Sequence, residues 1–183
     1  MRSILFIGDK FSPHFIKWTK TQKKIGFNTY NLSLEKKHHH YSIFSFYFFF
    51  KLFIKGIYLI KKNKIEILHC HYIGKYAFIS YLLSFIKNKL VLTAWGSDIN
   101  LKKNEIKNFF LKKIIERSVL ITHDANHIAL KIKKISKKVN LEHIEFGVDT
   151  EFFNNKKLKN YSTEDILSKH KINCKNLNKN YKI

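Results

Sequence analysis

Between Glu66 and Ile99 the chain sets two apolar runs of strand length around one helical run. Ile65-Glu66-Ile67-Leu68 leads into His69-Cys70-His71-Tyr72. The stretch from Tyr76 to Ile86 has helical length and composition. Leu90-Val91-Leu92-Thr93 then ends in Ala94-Trp95-Gly96-Ser97-Asp98. Two buried strands joined by a helix make a parallel crossover unit. This arrangement places polar and aromatic side chains just past the carboxyl ends of both strands, the edge where open α/β sheets bind ligands.

The same alternation runs through most of the 183 residues. The pattern predicts strands near 3–8, 27–33, 65–69, 89–93, 118–122 and 141–146. It predicts helices near 13–25, 41–61, 75–87, 104–116 and 125–136. Strands alternating with helices imply an α/β fold: a Rossmann-like parallel sheet with helices on both faces. The near-continuous apolar strands agree, because parallel strands are buried on both sides. After Phe153 the pattern weakens into a Lys- and Asn-rich stretch with one short helical candidate near 163–170. The expected division is therefore residues 1–153 as one domain and 154–183 as a tail that starts a second. One proline and six glycines leave little room for long flexible linkers, and no internal repeat is present.

Thirty-five basic residues against thirteen acidic ones give a net charge of +22. An excess of this size favours an anionic partner: nucleic acid, a membrane surface or a phosphorylated substrate. Lys, Asn, Ile, Phe and Tyr are abundant together, and all five can be written with AT-rich codons. Gene composition therefore competes as a cause of the lysine content. No nucleic-acid-binding motif accompanies the charge, so no specific nucleic-acid partner is expected. Cys70 and Cys174 make no disulfide framework, and Cys70, closing an apolar strand, reads as a buried thiol. The strand starting at Ser3 is broken by Gly8-Asp9-Lys10 too early for a signal peptide, so a cytoplasmic location is expected.

Tyr41 to Ile60 is long enough to span a bilayer. Lys51 and Lys55 fall in its middle on one helical face, which is costly inside a membrane. Phe44, Phe46, Tyr47, Phe48, Phe49, Phe50 and Phe53 crowd the rest. Three readings stay open: a helix packed on the sheet, an interfacial helix on a membrane, or a span. Lys61, Lys62 and Lys64 beyond it suit anionic head groups. A peripheral place on the inner face of the cytoplasmic membrane is the matching expectation.

Five stretches in order carry a family resemblance. They are Ile4-Leu5-Phe6-Ile7-Gly8-Asp9 with Ser12-Pro13-His14 and Lys17-Trp18; Gly26-Phe27-Asn28-Thr29-Tyr30-Asn31-Leu32-Ser33; Ile67 to Tyr72; Leu92 to Ile99; and Phe146-Gly147-Val148-Asp149-Thr150-Glu151-Phe152-Phe153. Together they resemble the N-terminal, acceptor-side domain of the family 4 retaining GT-B glycosyltransferases, in a subset active in surface-polysaccharide synthesis. The resemblance implies one half of a GT-B fold and hexosyl transfer from a nucleotide sugar, with retention, to a sugar or lipid-linked sugar acceptor. It implies no cofactor, since the nucleotide sugar enters as a substrate. It also implies a donor-binding domain carrying paired glutamates, which residues 154–183 cannot hold. The chain is then truncated before that domain, inactive alone, and in need of a separately encoded partner domain. The alternative is a non-enzymatic remnant or a membrane-surface binding module on the same fold. Many relatives have a glycine-rich loop after the first strand, where this chain has Gly8-Asp9-Lys10-Phe11-Ser12. Many have a histidine at the position of Trp95, although the Trp form is itself similar to a known subset.

The candidate site residues follow from both lines. Asp98 and His71 are the catalytic candidates. Asp98 follows a tight turn at Gly96-Ser97, so it can meet sugar hydroxyls; alternatively Ser97 or Asp98 caps the next helix. His69 and His71 alternate on a strand end and point to one side, but no third metal ligand accompanies them, and no metal is expected. Asp9, His14, Trp95, Gly96 and Ser97 are the substrate-binding candidates. Asp124 is expected to cap the helix near Ala125. His38-His39-His40 read as a solvated loop, and Gly147 and Asp149 as a turn ending the domain.

Overall fold

The computed structural model describes residues 2–34, 44–86, 89–100, 105–145 and 147. The chain divides into two compact units, Met1–Glu145 and Phe146–Ile183. The first holds six strands: β1 (Ser3–Ile7), β2 (Asn28–Leu32), β3 (Ile67–His71), β4 (Lys89–Thr93), β5 (Leu120–His123) and β6 (Leu141–His143). Its helices are α1 (Pro13–Lys24), α2 (Phe44–Lys62), α3 (Lys75–Ser84), α4 (Ser97–Asn100), α5 (Glu105–Arg117) and α6 (Asn126–Ile135). The expected boundary at 153, the short helix near 163–170, Cys174, Asp149, His38-His39-His40 and residues 41–43 of the expected long helix lie outside the described residues.

The sheet is wholly parallel, in the order β2-β1-β3-β4-β5-β6. The chain steps from β1 outward to β2, then crosses back over β1 to β3. Right-handed crossovers in opposite directions put α1 on one face and α2 on the other. Strand order thus reverses between β1 and β3, and their carboxyl ends frame a topological switch point, the preferred ligand crevice of such sheets. This is the expected Rossmann-like α/β fold with helices on both faces.

Packing follows the alternation along each strand. Leu5, Ile7, Leu32, Leu68, Cys70, Leu90, Leu92 and Ile121 point into one large core with α2, α3, α5 and α6. Ile4 and Phe6 point the other way, against Phe15 of α1, with Trp18 and Ile67 beside them. Local chemistry sets the helix ends. Pro13 opens α1, where its fixed φ and missing N–H cost nothing, and Lys23 and Lys24 sit in its last turn, matching the helix dipole. Gly56 lets α2 lie close to the sheet, because a Cβ there would meet Leu83 Cδ1 at 2.6 Å and Leu32 Cδ2 at 3.1 Å.

Four expectations shift. β3 runs to His71 where the sequence pattern placed its end at 69, because pairing with β4 continues from Ile67↔Lys89 to His71↔Thr93. His71 is therefore a strand residue like His69. α3 stops at Ser84, short of 87. Arg117 closes it from α5, donating Nη2 to the Ser84 carbonyl (2.9 Å) and Nε to Ser84 Oγ (3.1 Å). β6 is shorter than expected, ending at His143. Asp124 does not cap α6: the cap residue is Ala125, with no side-chain hydrogen bond. Of the three readings of the long aromatic helix, the span loses its support. Among the described residues no helix is long and apolar enough to cross a membrane.

Candidate functional site

The site builds outward from a histidine pair. His69 and His71, two residues apart on β3, share the α1 side of the sheet and stack with ring centroids 4.5 Å apart. Phe6 lies beside both, at 5.2 and 5.8 Å. Phe15 and Trp18 of α1 close over them edge-on, with Trp18 5.0 Å from His69 and 5.5 Å from His71, and Phe15 5.5 Å from His71. Gly8 completes the wall: a Cβ there would come within 3.0 Å of Phe15 Cδ2 and 3.2 Å of His71 Cβ, so β1 can end this close to β3 only with glycine.

The two imidazoles differ in their partners. His69 Nε2 hydrogen-bonds Thr93 Oγ1 at 2.8 Å, and Thr93 Oγ1 bonds Thr122 Oγ1 at 2.9 Å, a polar row running across β3, β4 and β5. His71 is 4% exposed, and neither ring nitrogen has a hydrogen-bond partner. Burial pushes His69 down to about 3. Burial, and then the neighbouring His69 and His14, push His71 down to about 2. Both rings are neutral at physiological pH. A buried polar atom without a partner is uncommon and costly, and such groups concentrate where a ligand or water completes the set.

Above His71 the column continues to the surface. Trp95, in the loop after β4, lies 6.4 Å from His71 and 4.3 Å from His14 at the start of α1. His14 is exposed and Trp95 half-buried. Gly96 takes φ +80°, a left-handed conformation that glycine adopts without strain, and Ser97 N donates to the Trp95 carbonyl across the tight turn.

Asp98 faces inward. It is 1% exposed, and its Oδ2 accepts from Ile73 N at 2.6 Å while Oδ1 accepts from Trp95 N at 3.1 Å. One carboxylate therefore clamps the loop after β3 to the loop after β4. Burial raises its pKa, against the lowering effect of the backbone amides it accepts from. Its placement is that of a positioning group rather than one that meets a sugar hydroxyl. Beside it Tyr72 has φ 75°, a region rarely used by residues with a Cβ. Strain of this kind gathers at ligand sites.

Asp9 stands at the carboxyl end of β1, half-buried, with Oδ1 accepting from Phe11 N at 2.9 Å. The structure thus brings His71, His14, Trp95, Gly96 and Ser97 to the edge around the switch point, with Asp9 on the adjoining loop and Asp98 beneath them. Phe15, Trp18, Tyr72, Thr93 and Thr122 were not singled out as site residues by the sequence. Phe15 and Trp18, three apart on α1, share one helix face, and that spacing is the signal that could have found them. Cys70 is the buried thiol expected of it, its pKa pushed up to about 12. Among the described residues no group of three or more His, Cys, Asp or Glu could hold a metal ion.

A six-stranded parallel sheet with a polar cluster at its switch point defines a Rossmann-like α/β domain. The glycosyl transferase 4-like family model matches residues 3–130, and the chain belongs to that family. No curated protein sequence matches it. Among solved structures it is similar to a sucrose-phosphate synthase from Thermosynechococcus elongatus, with TM-score 0.63 and 13% identity, over 87% of this chain and 97% of that one. It is also similar to Est1E from Butyrivibrio proteoclasticus, with TM-score 0.50 and 13% identity, over 90% and 88%. At these identities the likeness is one of fold. Fold by itself does not carry function.

Proposed function

We propose that this domain is the acceptor side of a glycosyltransferase that moves a hexosyl group from a nucleotide sugar to a lipid-linked or surface-polysaccharide acceptor. Donor binding is supplied by a second domain, in the same protein or separately encoded, and the described domain alone is inactive. The observation that carries the reading, beside family membership, is the stacked column His14–Trp95–His71 at the switch point, which runs from an exposed imidazole to a buried one. Trp95 offers an apolar face to a sugar ring. His71 lies buried beneath it, its two ring nitrogens without partners. Asp9 and Ser97 form the polar rim, Gly96 keeps the backbone close, and Asp98 holds the two loops in register.

Within this reading His71 is a neutral hydrogen-bonding group. A general base works best with a pKa near the operating pH, and burial places this ring far below it. The same fact favours the rival reading, a binding module without catalysis, since Asp98 is likewise engaged by backbone amides.

Titration of the chain with polyprenyl-diphosphate-linked monosaccharides and, separately, with free nucleotide sugars tests the assignment. Shifts of the Trp95 indole and His14 ring signals with the lipid-linked sugars alone are the expected result. Saturable binding of nucleotide sugars alone would reverse the donor and acceptor assignment, and binding of neither class would end the sugar reading. Hexosyl turnover on adding a donor domain separates the enzyme from the module.

A further inference from the structure

The helix layer opposite α1 carries a feature that the site does not use. Phe49 of α2 meets Phe78 of α3 at 5.7 Å, Phe78 meets Phe110 of α5 at 5.5 Å, and Phe110 meets Phe109 at 5.7 Å. Each of these three helices returns the chain to the amino end of the next strand, so its first turns lie toward the carboxyl edge. All four rings occupy the first two turns of their helices. The row therefore lies near the edge that holds the candidate site.

Outside this row the layer is both apolar and basic. On α2 the outward face repeats at helical spacing: Tyr47, Phe50, Ile54 and Tyr58 are exposed, with Lys51, Lys55, Lys61 and Lys62 between and beyond them. The helix contains no acidic residue. On α5 Ile106 and Phe109 are exposed, and Lys113 Nζ sits 5.6 Å from the Phe109 ring centre. Lys62 Nζ donates to Tyr58 Oη at 2.9 Å. Glu105 and Glu116 are the acidic residues of α5, against Lys107, Lys112, Lys113 and Arg117.

Lysine also crowds α1, at 17, 20, 23 and 24, so charge does not distinguish the two faces. Exposed aromatic rings interleaved with lysine do. A protein interface depletes lysine from its core, whereas rings and lysines side by side match the head-group zone of a bilayer. We infer that the α2–α3–α5 face lies on an anionic bilayer, with Phe50, Tyr58 and Phe109 at the head-group boundary and the aromatic row leading to the site's edge. Only the link to a lipid-linked acceptor rests on the proposed function.

The test is co-sedimentation of the full chain with vesicles of phosphatidylglycerol and phosphatidylcholine, against phosphatidylcholine alone. Binding to the anionic vesicles that weakens with salt is expected. Each lysine near such a surface is worth about fivefold in partition, so Lys51→Glu with Lys55→Glu lowers it at least about 25-fold. Phe50→Ser with Phe109→Ser leaves the charge untouched and lowers it about tenfold. Lys20→Glu with Lys24→Glu, an equal charge change at the same spacing on α1, changes it less than about threefold. All six positions are exposed, and circular dichroism verifies the fold of each variant. The inference is overturned by no anionic-vesicle binding, by equal losses in the two lysine pairs, or by no loss in the phenylalanine pair. It is also overturned if the α2 substitutions abolish binding to duplex DNA, or dissolve a dimer, while vesicle partition stays unchanged. No sugar enters the assay, so its failure leaves the acceptor reading standing, and the reverse holds too.

Discussion

The two faces of the sheet use the same strands for opposite chemistry. Toward α2, α3 and α5 the strands present Leu5, Ile7, Leu68, Leu90, Leu92 and Ile121, an aliphatic surface with Cys70 as its one sulfur. Toward α1, the neighbouring positions are Phe6, His69, His71, Thr93 and Thr122. One face gains stability from burying hydrocarbon. The other carries a linked polar row and a histidine whose nitrogens are buried without partners. Because side chains alternate with period two, a strand can hold both without compromise. A binding site enters such a sheet through alternate positions, and the intervening ones keep the core intact.

Substitutions can break this contrast from either side. Leu92→Ala, on the fully buried aliphatic face, is expected to cost about 3 kcal/mol in urea unfolding, from lost transfer energy and a residual cavity. Asp98→Ala removes the clamp between the two site loops and leaves the amides of Ile73 and Trp95 without their acceptor. It is expected to cost about 3 kcal/mol, with Asp98→Asn costing less because one oxygen remains. A cost below about 1 kcal/mol for the alanine variant would show that the clamp is dispensable.

The polar face is sensitive to pH. His69 and His71 have native values of about 3 and about 2, below the ordinary 6.5. Below pH 6.5 the unfolded chain takes up protons that the native state refuses, so stability is full above that value and falls as the solution is acidified. Each histidine costs about 1.4 kcal/mol per pH unit in that range, an order-of-magnitude slope. His71→Phe should halve the combined slope between pH 6 and 4, gaining about 2 kcal/mol over the parent near pH 5, with little change above pH 7. An unchanged slope by thermal unfolding across that range would place the proton uptake elsewhere. Thr93→Val, next to Leu92 but on the other face, removes the hydroxyl between His69 and Thr122. It should cost about 1 kcal/mol, well short of Leu92→Ala. Smallest of all, Lys112→Ala removes an exposed pair 3.9 Å from Glu116 and should stay within about 0.5 kcal/mol.

Much of this architecture was legible in the residues. Short apolar runs separated by helical patterns led to the parallel α/β sheet, and strand and helix positions came within a few residues. His69 and His71 were rightly set on one side, since alternation leaves no other choice. Asp124 misled, because a polar residue before a helix signals a cap only when its side chain folds back onto the amides. The end of α3 was hidden because Arg117, which closes it, lies 33 positions further along the chain.

The site divides along the same line. The sequence by itself determined the sheet, the loops at its carboxyl edge, and the residue types placed there, because hydrophobic period and turn chemistry are local properties. Only the tertiary structure decided that Asp98 turns inward to hold two loops, that His14 stacks on Trp95, and that His71 is sealed without partners. Those outcomes depend on strand order. β1 and β3 become neighbours only when the chain crosses back, and that crossing brings α1, β3 and the loop after β4 together at one edge.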